Sequence, residues 1–204
     1  MPKIVDHDQR RSDLAAAVWR LASREGVEAL TVRRVAAEAG WSTGALVHYF
    51  GDKEELIRFA FELTADRVAR RFDAAAARLS DPLELARTML VEALPLDRER
   101  RTEVRLCFAF LGLALTRPAL GAAQRDAYRG WRRRLAAALL EAQERGDLAP
   151  DIDCEREATA LIALADGLAV QASFEPRALP PRRQLELVDE RMARLRAGST
   201  APAR

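Results

Sequence analysis

Gly40-Trp41-Ser42-Thr43-Gly44 is the stretch of this 204-residue chain whose residue types first suggest chemistry, because G-x-S-x-G frames the nucleophilic serine of many hydrolases. That chemistry needs a strand leading into the serine and a histidine well downstream to take its proton. Neither condition holds. Val32, Val35, Ala36 and Ala39 precede the serine at i, i+3, i+4 and i+7, the spacing of one helix face. The chain has two histidines, His7 and His48, and none follows at a distance. Cys107 and Cys154 are too few and too far apart for a metal motif or a disulfide framework, and they read as free thiols in a reducing cytoplasm. No phosphate-cradling glycine loop is present. The expectation is therefore a protein that is not an enzyme, with no metal and no cofactor.

The same residues make sense as a surface that touches a duplex. Thr31 stands just before the 32–39 helix, where its hydroxyl can accept from the first free N–H groups. Gly40 follows that helix and tolerates the positive φ of a helix end. A second short helix starts near Ser42 or Thr43 and turns Leu46 and Phe50 inward, one turn apart. Gly44, Ala45, Val47 and His48 then point the other way. Two short helices joined by a tight glycine turn form a helix-turn-helix, whose second helix enters the major groove. Ser42 and Thr43 sit at the N-terminus of that helix, where free N–H groups and the dipole favour phosphate. Gly44 lets a backbone approach DNA closely, Tyr49 lies at the flank with its hydroxyl free, and Lys53 offers a charge.

Gly26, Thr31 to Ala36, Ala39-Gly40 and Ser42-x-Gly44-x-Leu46-x-x-Tyr49-Phe50-x-x-Lys53-Glu54-x-Leu56 together resemble the DNA-binding part of the TetR family of bacterial repressors. The resemblance implies that Thr31, Arg33, Thr43, Ala45, Val47, His48, Tyr49 and Lys53 touch DNA. Val47 departs from the family, which commonly has tyrosine there. A valine presents methyl groups suited to a thymine methyl. The Met1-Pro2-Lys3 start, Ser42-Thr43-Gly44-x-x-x-His48-Tyr49-Phe50-x-Asp52-Lys53, and Ala163-Leu164-Ala165-Asp166-Gly167-Leu168 further resemble the choline-responsive (BetI-like) branch, without carrying its effector over.

These residues need a scaffold, and the composition supplies a helical one. Hydrophobic residues make up 49% and charged residues 31%, with Ala, Leu, Arg and Glu dominant. The expected fold class is all-α: about nine helices, with a three-helix DNA-binding domain over 1–52 and a larger helical effector-binding and dimerisation domain over 53–204. Net charge is only +2, and residues 1–53 hold eight Lys/Arg against seven Asp/Glu. DNA binding must therefore rest on local placement of cations.

A first helix is expected over about Gln9 to Glu25, after a polar tail over residues 1–8. Arg10 and Arg11 lie at its start, either within reach of phosphate or merely solvated. Asp52 caps a long helix to about Leu79. Asp81-Pro82-x-Glu84 starts a fifth helix, which ends before Pro95. A sixth, over about Asp97 to Arg117, is the most apolar and so is expected buried. Pro118 to Arg145, Asp153 to Phe174 and about Arg182 to Arg196 complete the set, and the last eight residues read as frayed. The longest apolar run, Leu106 to Leu115, is too short to span a bilayer, and the charged N-terminus does not read as a signal peptide.

The family resemblance also implies a small-molecule effector within the larger domain, its identity open. Phe108, Phe110, Tyr128 and Trp131 are the aromatics placed to line an apolar cavity or to pack as core, and Asp166 is a carboxylate on an otherwise apolar helix face. Arg129 to Arg134 spread around several helix faces and do not form a second nucleic-acid patch. One short recognition helix reads few bases, so a homodimer on a palindromic double-stranded operator is expected. Resemblance puts its interface on the last two helices. There Ala158, Leu161, Ala165, Leu168, Ala169 and Ala172 form a small-residue seam that permits close helix approach, either to a second subunit or within a buried helix pair of one chain, joined by Leu185, Val188 and Met192. The expectation is a cytoplasmic, ligand-responsive transcriptional repressor. Its rival from another class is a non-sensing helical adaptor with a vestigial DNA motif.

Overall fold

The computed structural model describes residues 7–198, all of whose regular elements are helical. In order they are α1 (His7–Glu25), a 3-10 turn (Val27–Ala29), α2 (Val32–Ala39), α3 (Thr43–Phe50), α4 (Lys53–Ala76), α5 (Pro82–Glu92), α6 (Arg98–Ala114), α7 (Pro118–Glu144), α8 (Cys154–Phe174) and α9 (Pro181–Gly198). His7 and Asp8 already belong to α1. The sequence reading of the tail over 1–6 and of the terminus beyond 198 lies outside the described residues.

Packing sorts the chain into two compact units. The first comprises residues 1–66 and 105–122. Its core joins Leu14, Val18 and Leu21 of α1, Leu30, Val35 and Ala36 around α2, Leu46 and Phe50 of α3, and Leu56 and Phe59 of α4, with Leu106 of α6. Two glycines make the turns. Gly26 has φ 85° and ψ 174°, a region essentially closed to side chains, and it reverses the chain after α1. Gly40 is left-handed (φ 71°, ψ 26°) and ends α2. Around it Trp41 N–H donates to Ala36 O at 2.9 Å and Gly40 N–H to Ala37 O at 3.3 Å, the paired bonds of a Schellman end. Further along the unit Phe61 stacks on Phe110 at 3.9 Å, and Arg117 donates to Glu54 at 2.5 Å.

The second unit comprises residues 67–104 and 123–204. Asp81 accepts from the N–H groups of Leu83 (2.8 Å) and Glu84 (3.3 Å), which fixes the start of α5. Asp153 does the same for α8 through Arg156 N–H at 3.1 Å. Leu83, Ala86 and Leu90 of α5 join Leu135 and Leu139 of α7, Ala158, Leu161 and Ala165 of α8, and Val188 and Met192 of α9 in one apolar core. An ion network runs through this unit: Arg71 donates to Glu103 and Glu92, and Arg100 donates to Glu92 and Asp97.

Two helix expectations are corrected. The fourth helix ends at Ala76 rather than Leu79. The sixth ends at Ala114, and its apolar run is not wholly buried: Leu106 and Phe110 are enclosed, while Leu115 is 87% exposed. A continuous apolar run winds around the helix, so one covered face cannot take all of it.

Candidate nucleic-acid interface

The α3 helix is held by one face and bare on the other. Ser42 caps it, its hydroxyl accepting from Ala45 N–H at 3.2 Å. Leu46 and Phe50 are buried. Phe50 packs on Phe59 with ring centres 5.1 Å apart, and Tyr49 meets Phe50 edge-on at 4.9 Å. Ser42, Thr43, Gly44, Ala45, Val47, His48 and Tyr49 are all exposed, Val47 at 48%. A Cβ added at Gly44 would meet nothing within 4 Å, and its φ is ordinary, so nothing inside the chain requires a glycine there.

Ion pairs sort the cations around that face. Arg20 and Arg24 both donate to Glu38 at 2.8 Å and hold its carboxyl down at about 2. Arg34 is engaged by Glu25, whose carboxyl it pulls below the ordinary range. Those three arginines are committed to the fold. Arg33 is exposed and has no carboxylate partner among the described residues. Lys53 lies 3.8 Å from a Glu28 side chain that is 94% exposed, a weak and solvated pair. Thr31 accepts from Arg34 N–H at 3.3 Å, which leaves its hydroxyl proton free to donate. Of the two arginines that open α1, Arg11 turns inward over the Phe59 ring (5.0 Å) and reaches Glu62 at 3.9 Å. Arg10 lies over the Trp41 ring at 5.5 Å.

The residues expected to line an effector cavity separate. Phe110 is fully buried and stacked on Phe61 in the first unit, where Phe108 also belongs. In the second unit Tyr128 Oη donates to Asp166 Oδ2 at 2.8 Å. Burial pushes the Asp166 carboxyl up, opposed by that hydrogen bond. Trp131 tilts against Phe72 at 6.5 Å, and its indole N–H is enclosed without a hydrogen-bond partner among the described residues. The same holds for Gln124 Oε1, which sequence reasoning missed. Its signal was the spacing of 124, 128 and 131 on one face of α7.

Most of the small-residue seam, through Ala158, Leu161, Ala165 and Leu168, faces the second unit's own core. Ala158, Leu161, Ala165, Leu168, Ala169, Ala172, Val188 and Met192 are buried within one chain, and Leu185 is half-buried. The seam's residues fit so closely because α5 and α9 pack on α8. The apolar stripe left outside is another one: Ala160, Ala163 and Val170 are exposed, Gly167 is half-exposed, and Phe174 is 81% exposed. Arg129 pairs with Asp126 and Arg134 with Asp73.

Residues 14–59 match the model of bacterial regulatory proteins of the tetR family, and residues 82–197 match that of the BetI-type transcriptional repressor, C-terminal. The HTH-type transcriptional regulator PksA of Bacillus subtilis is 37% identical over 176 residues, 86% of this chain and 84% of that protein. The regulator BetI 1 of Chromohalobacter salexigens is 29% identical, covering 95% of this chain and 96% of its own. Among solved structures, a transcriptional regulator from Rhodococcus superposes with a TM-score of 0.79 at 32% identity, covering 94% of this chain and 99% of that one. A regulator from Saccharomonospora viridis solved in complex with choline gives 0.81 at 23% identity, covering 92% of this chain and 97% of its own. No helix among the described residues is long and apolar enough to cross a membrane.

Proposed function

This chain belongs to the TetR family of bacterial regulatory proteins and is a helix-turn-helix transcriptional regulator rather than an enzyme; from that premise we propose that it is a homodimeric repressor released from a palindromic operator by a small molecule. Residues 1–52 read DNA, and residues 53–204 sense the effector and dimerise. The bare face of α3 carries this reading. Gly44, Ala45, Val47 and His48 are left uncovered while Leu46, between Ala45 and Val47, and Phe50, two residues past His48, are sealed in the core. A helix surface so held and so exposed suits insertion into the major groove. Ser42 and Thr43 at its N-terminus, Thr31, Tyr49 and the uncommitted cations Arg33 and Lys53 take phosphates, and Val47 and His48 meet base edges.

Dimerisation uses the outer stripe of α8, from Ala160 to Phe174, which is apolar, small from Ala160 to Gly167, and largely exposed in the single chain. The effector subsite is the α7 face bearing Gln124, Tyr128 and Trp131 together with Asp166. Enclosed polar atoms without partners and a half-buried carboxylate suit a small molecule with a positively charged or hydrogen-bonding head. The choline complex of the Saccharomonospora neighbour is in keeping with that chemistry.

Selection of duplexes from a random-sequence pool by the purified chain, followed by binding over a salt series, tests the reading. A regulator yields a two-fold symmetric consensus whose affinity falls steeply with salt. An adaptor with a vestigial motif yields no consensus. Adding choline to the selected complex then asks whether this cation releases the DNA, and Asp166→Asn should blunt any release it causes.

A further inference from the structure

We propose that Arg10, laid over the indole of Trp41, is a phosphate-clamping residue of the DNA interface, with Trp41 as its positioning residue. The proposal rests on the reading of α3 as the DNA-reading helix and adds a contact outside the helix-turn-helix itself.

Arg10 and Arg11 are consecutive on α1, yet their surroundings differ. Arg11 lies over Phe59 and reaches a carboxylate, Glu62, so its charge is answered inside the unit. Arg10 has no carboxylate partner among the described residues, and the group it lies against is the Trp41 ring, 5.5 Å from guanidinium carbon to ring centre. Stacking on a ring face satisfies no N–H donor. The guanidinium is planar, so its N–H edge remains available for a bidentate contact.

Trp41 is a rigid shelf. Its backbone N–H is fixed to Ala36 O at 2.9 Å by the end of α2, and its side chain packs against the core of the first unit. It is also the residue immediately before Ser42, the cap of α3. The guanidinium is therefore held on the residue that leads directly into the reading helix, whose first residues Ser42 and Thr43 are exposed. In helix-turn-helix complexes the helix before the reading helix crosses the sugar-phosphate backbone, and Trp41 lies in the turn that joins those two helices. A cation held there takes a phosphate flanking the bases that α3 reads. Cation–π stacking at an exposed site is weak, so it biases the arm toward one direction without locking it.

The experiment is binding over a salt series to a duplex that the wild-type chain selects from a random pool, and to a scrambled duplex. The variants are Arg10→Gln, Arg10→Lys, Trp41→Leu, Trp41→Phe and the double variant Arg10→Gln/Trp41→Leu. Each phosphate contact contributes about −0.9 to the slope of log affinity against log salt, so losing one per subunit flattens a dimer's slope by about 2. Arg10→Gln should show that flattening and lose affinity equally on both duplexes. Trp41→Leu should flatten the slope similarly, the double variant should be no worse than Arg10→Gln, and Trp41→Phe and Arg10→Lys should keep most of the wild-type slope. An unchanged slope in Arg10→Gln overturns the proposal. So does a Trp41→Leu that loses affinity at the wild-type slope, because the indole would then be merely structural. A wild-type chain with no sequence preference removes the DNA-reading premise itself, which is a different outcome from a selective wild type and an indifferent Arg10→Gln.

Discussion

Arg71 and Glu103 meet side-on, two guanidinium nitrogens donating to the two carboxylate oxygens over 2.9 and 2.6 Å. The Glu103 side chain is 4% exposed, and Glu92 stands on the other side of the same arginine. Glu103, foremost among its partners, raises the Arg71 guanidinium above the ordinary arginine value, so Arg71 stays charged at every working pH. Removing one partner of a buried pair leaves the other charge unanswered. Glu103→Ala should cost about 3 kcal/mol, the low end for such a loss because Glu92 still neutralises Arg71. The exposed Glu99, paired with Arg67 at 2.8 Å, should cost under about 1 kcal/mol when changed to alanine. Denaturant unfolding of both variants measures the contrast. Equal losses would mean that burial does not set the strength of these pairs.

Gly44 separates stability from function. It lies in the first turn of α3, has ordinary φ, and has open space where a Cβ would go. Alanine there removes backbone freedom from the unfolded chain, so Gly44→Ala should stabilise the protein by roughly 0.5–1 kcal/mol. The same methyl group would stand on the surface that approaches DNA, so affinity for the selected operator should fall at least severalfold. Thermal melting and titration on one sample check both directions. A variant that is more stable and binds as before would show that this part of α3 does not come close to a duplex.

Glu38 gives the first unit a pH signature. Hydrogen bonds from Arg24 and then Arg20 hold its carboxyl at about 2, below the ordinary value of 4.5. A depressed carboxylate contributes stability that is present above its unfolded value and lost as pH falls toward its folded one. Glu38→Gln should therefore melt lower than wild type at neutral pH, with the gap closing between about 4.5 and about 2. A gap that persisted to the acid end would put the loss down to packing.

Asp166 has the opposite sign. Burial lifts its carboxyl above the usual aspartate range, against the hydrogen bond from Tyr128. A raised carboxyl binds its proton more tightly folded than unfolded, so its contribution declines as pH rises from the unfolded value through the folded one. Asp166→Asn keeps an acceptor for Tyr128 and should be more stable than wild type at neutral pH, the difference vanishing in acid. Tyr128→Phe removes the donor to a charged partner and should cost about 1.5–3 kcal/mol at neutral pH. Melts across a pH series decide it, and an Asp166→Asn less stable at neutral pH would contradict the burial account.

The helix ends were legible because their signals are local. Thr31, Gly40, Ser42, Asp52, Asp81 and Asp153 announce helix ends through their own hydrogen bonds or φ, and each stands at the end expected of it. The alternation between Leu46 and Phe50 and their bare neighbours needed one helical turn to read. What the sequence left open were choices between equivalent faces. Helix α8 has two apolar stripes, one through Ala158, Leu161, Ala165 and Ala172 and one through Ala160, Ala163, Val170 and Phe174. Periodicity finds both and cannot say which meets the chain's own core, because α5 and α9 decide that and both are distant in sequence. The sequence left Phe110 between cavity lining and core, because its partner Phe61 lies on another helix; it is core.

The outer stripe of α8 makes the last prediction. Phe174 is 81% exposed and Val170 42% exposed, while Ala165, on the neighbouring stripe, is fully enclosed. A symmetric interface brings each residue of such a stripe close to its own copy, so one substitution acts twice. Val170→Glu would place two like charges at a dry seam, at about 3 kcal/mol or more, which is roughly a hundredfold in association. The single chain should keep its helix content and thermal cooperativity, because Val170 is not part of its core. Sedimentation should show monomer where wild type is dimeric, and operator affinity should drop because one subunit reads one half-site. Ala165→Glu should instead unfold the second unit, whose core it enters. If Val170→Glu and Phe174→Glu both remain dimeric with full operator affinity, the subunits join elsewhere, and the outer stripe of α8 serves some other contact.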